Sequence, residues 1–199
     1  MSEKPLIIVL HGPSGVGKDS VIDALRAKTG IHRATSSTSR APRPGEKDGV
    51  DYRFYSQERF EEMIARSQFA EFARVYDDWK GLEWEEIEGP LSRGEDVIIR
   101  TDVQGARTWR ERLEGAVFIF LGAEDRDVLR ARLTERGTED PESLARRMAE
   151  IEEELADEAN NDYVVINRHG RLEQAVDEIV EIIERERQRT GRQAARVVG

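Results

Sequence analysis

The sequence predicts an α/β fold, a parallel sheet flanked by helices, from three observations. Short apolar runs of strand length recur at Leu6 to Leu10, Asp96 to Arg100, Val117 to Leu121 and Tyr163 to Ile166. Helical patterns follow them at about 18 to 28, 103 to 113, 125 to 135, 142 to 160 and 171 to 188. At the first strand-to-helix junction stands Gly12-Pro13-Ser14-Gly15-Val16-Gly17-Lys18. Strand and helix in alternation give a parallel sheet, with ligands at the carboxyl ends of its strands.

That junction has the order of a phosphate-binding P-loop. Its glycines let successive N–H groups turn toward phosphates, the helix behind adds its positive end, and Lys18 adds a mobile charge. The nucleotide-contacting stretch runs through Gly12, Pro13, Ser14, Gly15, Val16, Gly17, Lys18, Asp19 and Ser20. Asp19 breaks the usual rule, since a hydroxyl for magnesium is expected there and Ser20 comes one place later. A carboxylate at that point either ligates the ion or repels the triphosphate, depending on what lies opposite.

The 199 residues suit one domain with a sizeable core, and a net charge of -10 argues against broad nucleic-acid or anionic-membrane binding. An anionic substrate must then be met by local arginine clusters. The chain has no cysteine, which fits a cytoplasmic protein, and no apolar run reaches membrane-spanning or signal-peptide length.

The segment from about 35 to 90 is polar at first, then reads strand, helix, strand (Tyr52 to Tyr55, Glu58 to Ser67, Phe69 to Tyr76), as a lobe inserted into the core. The core is expected at about 1 to 34 and 95 to 188, and 189 to 199 is expected to be a flexible tail. Arg40 and Arg43 stand in a proline-stiffened loop, Ser36-Ser37-Thr38-Ser39-Arg40-Ala41-Pro42-Arg43-Pro44-Gly45-Glu46, and two such forks with a nearby tyrosine can grip a phosphate.

Together these blocks resemble the guanylate kinase family. The matching stretches are Gly12 to Lys18, Ser36 to Glu46, Gly49-Val50-Asp51-Tyr52-Arg53-Phe54, Phe69-Ala70-Glu71-Phe72, Arg100-Thr101-Asp102-Val103-Gln104-Gly105 and Arg132-Leu133-Thr134-Glu135-Arg136-Gly137-Thr138. The likeness implies a P-loop kinase fold with a GMP-binding lobe and a helical lid near 132 to 147. It implies transfer of the γ-phosphoryl group of ATP, with Mg²⁺, to GMP or dGMP by a cytoplasmic enzyme, monomer or homodimer. It assigns the GMP phosphate to Arg40, Arg43 and Tyr52, with Lys80 nearby, and guanine to Ser36, Glu71 and Asp102. A carboxylate suits the N1–H and 2-amino donors of guanine and would face the N1 acceptor of adenine badly. The resemblance makes Lys18, Arg40, Arg132, Arg136 and Arg147 catalytic, and puts Asn167 on the adenine side.

The chain departs from the family at four places. Lys80 and Leu82 flank Gly81 where a tyrosine and a hydroxyl are usual. Arg100 replaces the first aspartate of the DxDxQG block, which normally supports magnesium, and this pairs with the change at Asp19. A salt bridge between Asp19 and Arg100 beneath the phosphates is the expected consequence, because a lone buried charge is costly. Three alternatives stay open: a kinase for ribose 1,5-bisphosphate, a kinase for another purine nucleotide, and a phosphopeptide-binding module without catalysis.

Overall fold

A computed structural model describes residues 4–75, 77–124 and 157–198. The chain divides into two units, Met1–Arg33 with Asp96–Gly199, and Ala34–Glu95.

The first unit is a five-stranded parallel sheet in the order β10-β9-β1-β7-β2. Its strands are β1 (Ile7–His11), β2 (His32–Arg33), β7 (Val97–Arg100), β9 (Val117–Gly122) and β10 (Tyr163–Ile166). Every residue of β1 is buried, as a central parallel strand requires. Leu6, Ile8 and Leu10 face a core shared with Val21, Ile22 and Leu25 of α1 (Lys18–Thr29) and with Val176, Ile179 and Ile183 of α5 (Leu172–Gln188). The opposite face is covered by α4 (Val103–Arg112), whose Val103, Ala106 and Trp109 are buried. The period of two in the strand and the i, i+3, i+4 spacing in the helices decide this packing. All four strands expected from apolar runs are present, and helices stand where 18 to 28, 103 to 113 and 171 to 188 were expected. The helices expected at 125 to 135 and 142 to 160 lie outside the described residues, apart from a 3-10 turn at Glu158–Asn160.

The stretch after α5 carried no pattern in the sequence and was expected to be a flexible tail. In the structure β11 (Arg196–Val197) pairs antiparallel with β8 (Leu113–Glu114), and Arg196 forms an ion pair with Glu114. Two residues of strand leave too short a period to read, so only the partner reveals them.

The second unit is a four-stranded sheet in the order β4-β3-β6-β5. It contains β3 (Ser37–Thr38), β4 (Arg53–Phe54), α2 (Gln57–Ala65), β5 (Phe69–Val75), β6 (Asp78–Glu83) and α3 (Glu85–Ser92). Helix α2 begins at Ser56, whose hydroxyl accepts the Arg59 N–H at 3.2 Å, and buries Phe60 and Met63. Phe60 stacks on Phe69 with ring centroids 4.3 Å apart. The sequence missed β6, which contains Gly81, and α3, which contains Gly89 and Pro90, because their residues disfavour the element they adopt. Among the described residues no helix is long and apolar enough to cross a membrane.

Candidate active site

In the first unit β1 runs into the glycine-rich loop. Gly12 has φ +143°, and a Cβ there would overlap the Leu121 carbonyl oxygen on β9, so the loop passes where only glycine fits. Gly17, at φ +96°, is the residue before α1, and a Cβ there would lie 2.7 Å from Nδ2 of Asn167. Lys18 is only 9% exposed, and its Nζ donates to the carbonyls of Gly12 at 2.6 Å and Pro13 at 3.0 Å. The ammonium thus lies within the curve of the loop. Asn167, just past β10, is buried and donates from Nδ2 to the Val16 carbonyl at 2.8 Å, while its own N–H bonds the Gly122 carbonyl at 2.9 Å. It braces the loop against the next strands, a contact the adenine-side assignment did not include. Gly15, Gly17, Ser20, Asn167, Arg168, His169, Gly170 and Leu172 line a cavity of about 300 Å³. A larger hollow of about 580 Å³, lined by Tyr163, Arg185 and Arg189 among others, opens at the amino end of β10, the wrong end of the sheet for the P-loop.

The exchange at Asp19 and Arg100 yields a contact: Arg100 Nε lies 3.1 Å from Asp19 Oδ1. The expected reason for it does not hold, since the Asp19 side chain is 52% exposed and Arg100 39%. A third member, unseen in the sequence, is Arg33 on β2, which donates to the same oxygen at 2.8 Å and to Asp23 Oδ1 at 3.1 Å. Asp19 and Asp23 are one helical turn apart on α1, so one guanidinium spans both. No hydrogen bond to Asp19 Oδ2 forms among the described residues. One oxygen of the Asp19 carboxylate is thus open to a hard cation while the other is held by two guanidinium groups, and no cluster of three or more acidic or histidine side chains that could hold a metal occurs among the described residues.

His11, immediately before Gly12, is fully buried and packs edge-on against Phe120. Its Nε2 meets Asn161 Oδ1, which also accepts Arg110 Nη2 at 2.6 Å. Arg110 and Arg107 both pair with the buried Asp157 at 3.2 Å. Burial holds the His11 pKa below its ordinary value, opposed by the Asn161 hydrogen bond. Because Asn161 Oδ1 can only accept, Nε2 carries the proton and Nδ1 is left buried without a hydrogen-bond partner among the described residues. Nothing in the sequence links residues 150 positions apart, so this network could not have been read from it. Asp102, exposed at the start of α4, accepts the Gly105 N–H at 2.8 Å through Oδ1.

In the second unit the serine-rich run is sorted by its neighbours on β6. Ser37 Oγ donates to Glu83 at 2.6 Å, Thr38 Oγ1 donates to the Trp79 carbonyl at 3.0 Å, and Ser39 Oγ accepts the Trp79 N–H at 2.8 Å. Ser36 keeps the one hydroxyl of the four without a hydrogen bond among the described residues. Arg40 forms a two-pronged pair with Glu46 and lies over the rings of Tyr52, 5.4 Å away, and Phe54, 5.7 Å away. Arg43 is exposed. Glu71 is half-buried on β5, directly across from Leu82 of β6. Leu82 is 2% exposed and so belongs to the interior, while Lys80 is half-buried. The sequence also missed Glu86: it is 4% exposed and accepts from the Thr35 N–H at 2.7 Å and Arg53 Nε at 2.8 Å, tethering the start of the loop. Arg132, Arg136 and Arg147 lie outside the described residues.

A parallel sheet whose central strand feeds a glycine loop closed around a buried lysine defines the P-loop class of nucleotide-binding folds. The guanylate kinase family model matches residues 2–186. A guanylate kinase of Symbiobacterium thermophilum is 43% identical over 201 residues, covering 100% of this chain and 94% of its own length. Guanylate kinase 2 (chloroplastic/mitochondrial) of Oryza sativa is 46% identical over 92% of this chain, which spans 65% of that protein's length. The crystal structure of guanylate kinase from Anaplasma phagocytophilum superposes with a TM-score of 0.76 at 28% identity, covering 96% of this chain and 91% of that one. The chain belongs to the guanylate kinase family.

Proposed function

We propose that this protein transfers the γ-phosphoryl group of MgATP to GMP or dGMP, giving ADP and GDP or dGDP, as a cytoplasmic enzyme of purine nucleotide metabolism. The observation that carries this reading is the P-loop with its enclosed lysine in a chain whose family match spans residues 2–186. Intact P-loop chemistry favours catalysis over a pure binding module, which has no use for an ATP site.

Lys18 and the backbone N–H groups between Ser14 and Ser20 hold the ATP phosphates, and the cavity beside Asn167 takes the adenosine end. Mg²⁺ carried by ATP would supply charge neutralisation at the phosphate oxygens. Asp19 Oδ2 is the protein oxygen that would hold it. Arg40, Arg43, Tyr52 and Lys80 hold the acceptor phosphate; Ser36, Glu71 and Asp102 read guanine. An acceptor phosphate oxygen attacks the γ-phosphorus as the bond to the β,γ-bridging oxygen breaks, and that electron pair leaves on ADP. No general base is required, because the acceptor is already anionic. Arg132, Arg136 and Arg147 neutralise the charge that spreads over the transferring group.

The test is MgATP-dependent turnover of GMP, dGMP, AMP, IMP and ribose 1,5-bisphosphate by the purified protein. Preference for GMP or dGMP is expected. Preference for the sugar phosphate, or ATP binding with no turnover of any acceptor, would overturn the reading.

A further inference from the structure

The loop that carries Arg40 and Arg43 holds one guanidinium on all sides but one. Arg has five coplanar N–H donors. In Arg40, Nη1 donates to the Ala41 carbonyl and to Glu46 Oε2, each at 2.8 Å, and Nη2 donates to Glu46 Oε1 at 2.9 Å. Three donors are thereby used. The other two, Nε–H and the second Nη2–H, share one edge of the plane and carry no hydrogen bond among the described residues. That edge is a complete fork of the width that two oxygens of a phosphate require. Tyr52 and Phe54 lie 5.4 Å and 5.7 Å from the guanidinium carbon, limiting its tilt.

Glu46 does a second thing. Its Oε2 also accepts the Arg43 backbone N–H at 2.7 Å, and its own N–H bonds the Arg43 carbonyl at 3.0 Å. One carboxylate therefore fixes both the fork of Arg40 and the backbone that carries Arg43. We propose that Glu46 is the positioning residue of the acceptor-phosphate clamp: it takes the Nη1/Nη2 edge of Arg40 and the Arg43 amide, and so presents the open Nε/Nη2 edge to a phosphomonoester. The Arg40 and Arg43 contacts hold the Glu46 carboxyl down at about 2, so it stays ionised wherever the enzyme works.

This inference rests on the reading of the chain as a GMP kinase. It predicts a sign opposite to that of simple charge. Glu46→Gln removes a negative charge close to a dianionic ligand, so charge alone would tighten GMP binding; loss of positioning weakens it. The experiment measures KM for GMP and for MgATP, and calorimetric Kd for GMP and for guanosine, in wild type, Glu46→Gln, Glu46→Asp, Arg40→Met and the Arg40→Met/Glu46→Gln pair. Glu46→Gln is expected to raise the GMP KM and Kd about tenfold or more, the loss typical of one charged hydrogen bond. Guanosine Kd and MgATP KM should change less than about twofold, since neither ligand offers a phosphate to this fork, and the unchanged MgATP KM shows that the variant folds. Glu46→Asp keeps the charge but is too short to span both partners, and should also weaken GMP. The double variant should lose less than the two single losses added together, because the Arg40 part of the Glu46 role is already gone in Arg40→Met while its hold on the Arg43 amide is not. GMP binding as tight as or tighter than wild type in Glu46→Gln, or full additivity in the double variant, overturns the proposal. A wild type that binds GMP no better than guanosine brings down the functional reading, and the proposal with it.

Discussion

The two loops assigned to phosphates are built by opposite means. The glycine-rich loop is moulded through its backbone: Gly12 passes against Leu121, and the Lys18 and Asn167 side chains donate to the main-chain carbonyls of Gly12, Pro13 and Val16. The arginine loop is held by side chains: Glu46 on Arg40 and on the Arg43 amide, Glu86 on Arg53 and on the Thr35 amide. A backbone-built site is part of the fold and fails with it, whereas a side-chain-built site can lose its ligand while the fold survives.

The sharpest way to break that contrast is Gly12→Ala. Backbone strain at a positive φ costs about 1–3 kcal/mol before the overlap with Leu121 is counted. Loss of the folded state, or a drop in Tm of many degrees with no ATP binding, is expected in thermal denaturation. A stable variant would show that the loop is not moulded to β9.

Arg43→Ala is the counterpart in the other loop. Its side chain is exposed, so stability should hold within about 0.5 kcal/mol. The GMP KM should rise by about tenfold to a hundredfold, with the MgATP KM little changed. Equal losses for both substrates would erase the division between the loops.

Asn167→Ala tests the brace. Removing the bond to the Val16 carbonyl should cost about 1–3 kcal/mol and raise the MgATP KM several-fold, leaving the GMP KM unaffected. Steady-state kinetics beside a denaturation curve checks both.

The smallest effect concerns His11, whose pKa is held below its ordinary value of 6.5 by burial. The unfolded chain then takes up a proton that the folded chain refuses. Stability is full above about pH 6.5 and is lost as pH falls from there toward the folded pKa. His11→Phe should flatten that acid-side slope in chemical denaturation; an unchanged slope would mean that other groups cause it.

The buried strands and their helices were legible because period two and period 3.6 are local, and the P-loop because its glycines and lysine are contiguous. Ser36, Arg40, Arg43 and Tyr52 were legible as candidates through the resemblance of their stretches to the guanylate kinase family. Arg33, Glu46 in its role, Glu86, and the His11, Asn161 and Asp157 network were not, because an ion pair or buried hydrogen bond leaves no period. The Asp19–Arg100 contact was legible as two compensating substitutions, yet its third member lay on a strand of two residues.

The sequence by itself determined the parallel sheet, the glycine-rich loop at the end of β1, and the arginines offered to an anion. Only the tertiary structure decided which groups are already engaged: Lys18 on loop carbonyls, one edge of Arg40 on Glu46, one oxygen of Asp19 on two arginines. The physical reason is that local pattern fixes where a side chain stands, while its partners come from strands and turns distant in sequence that packing brings together.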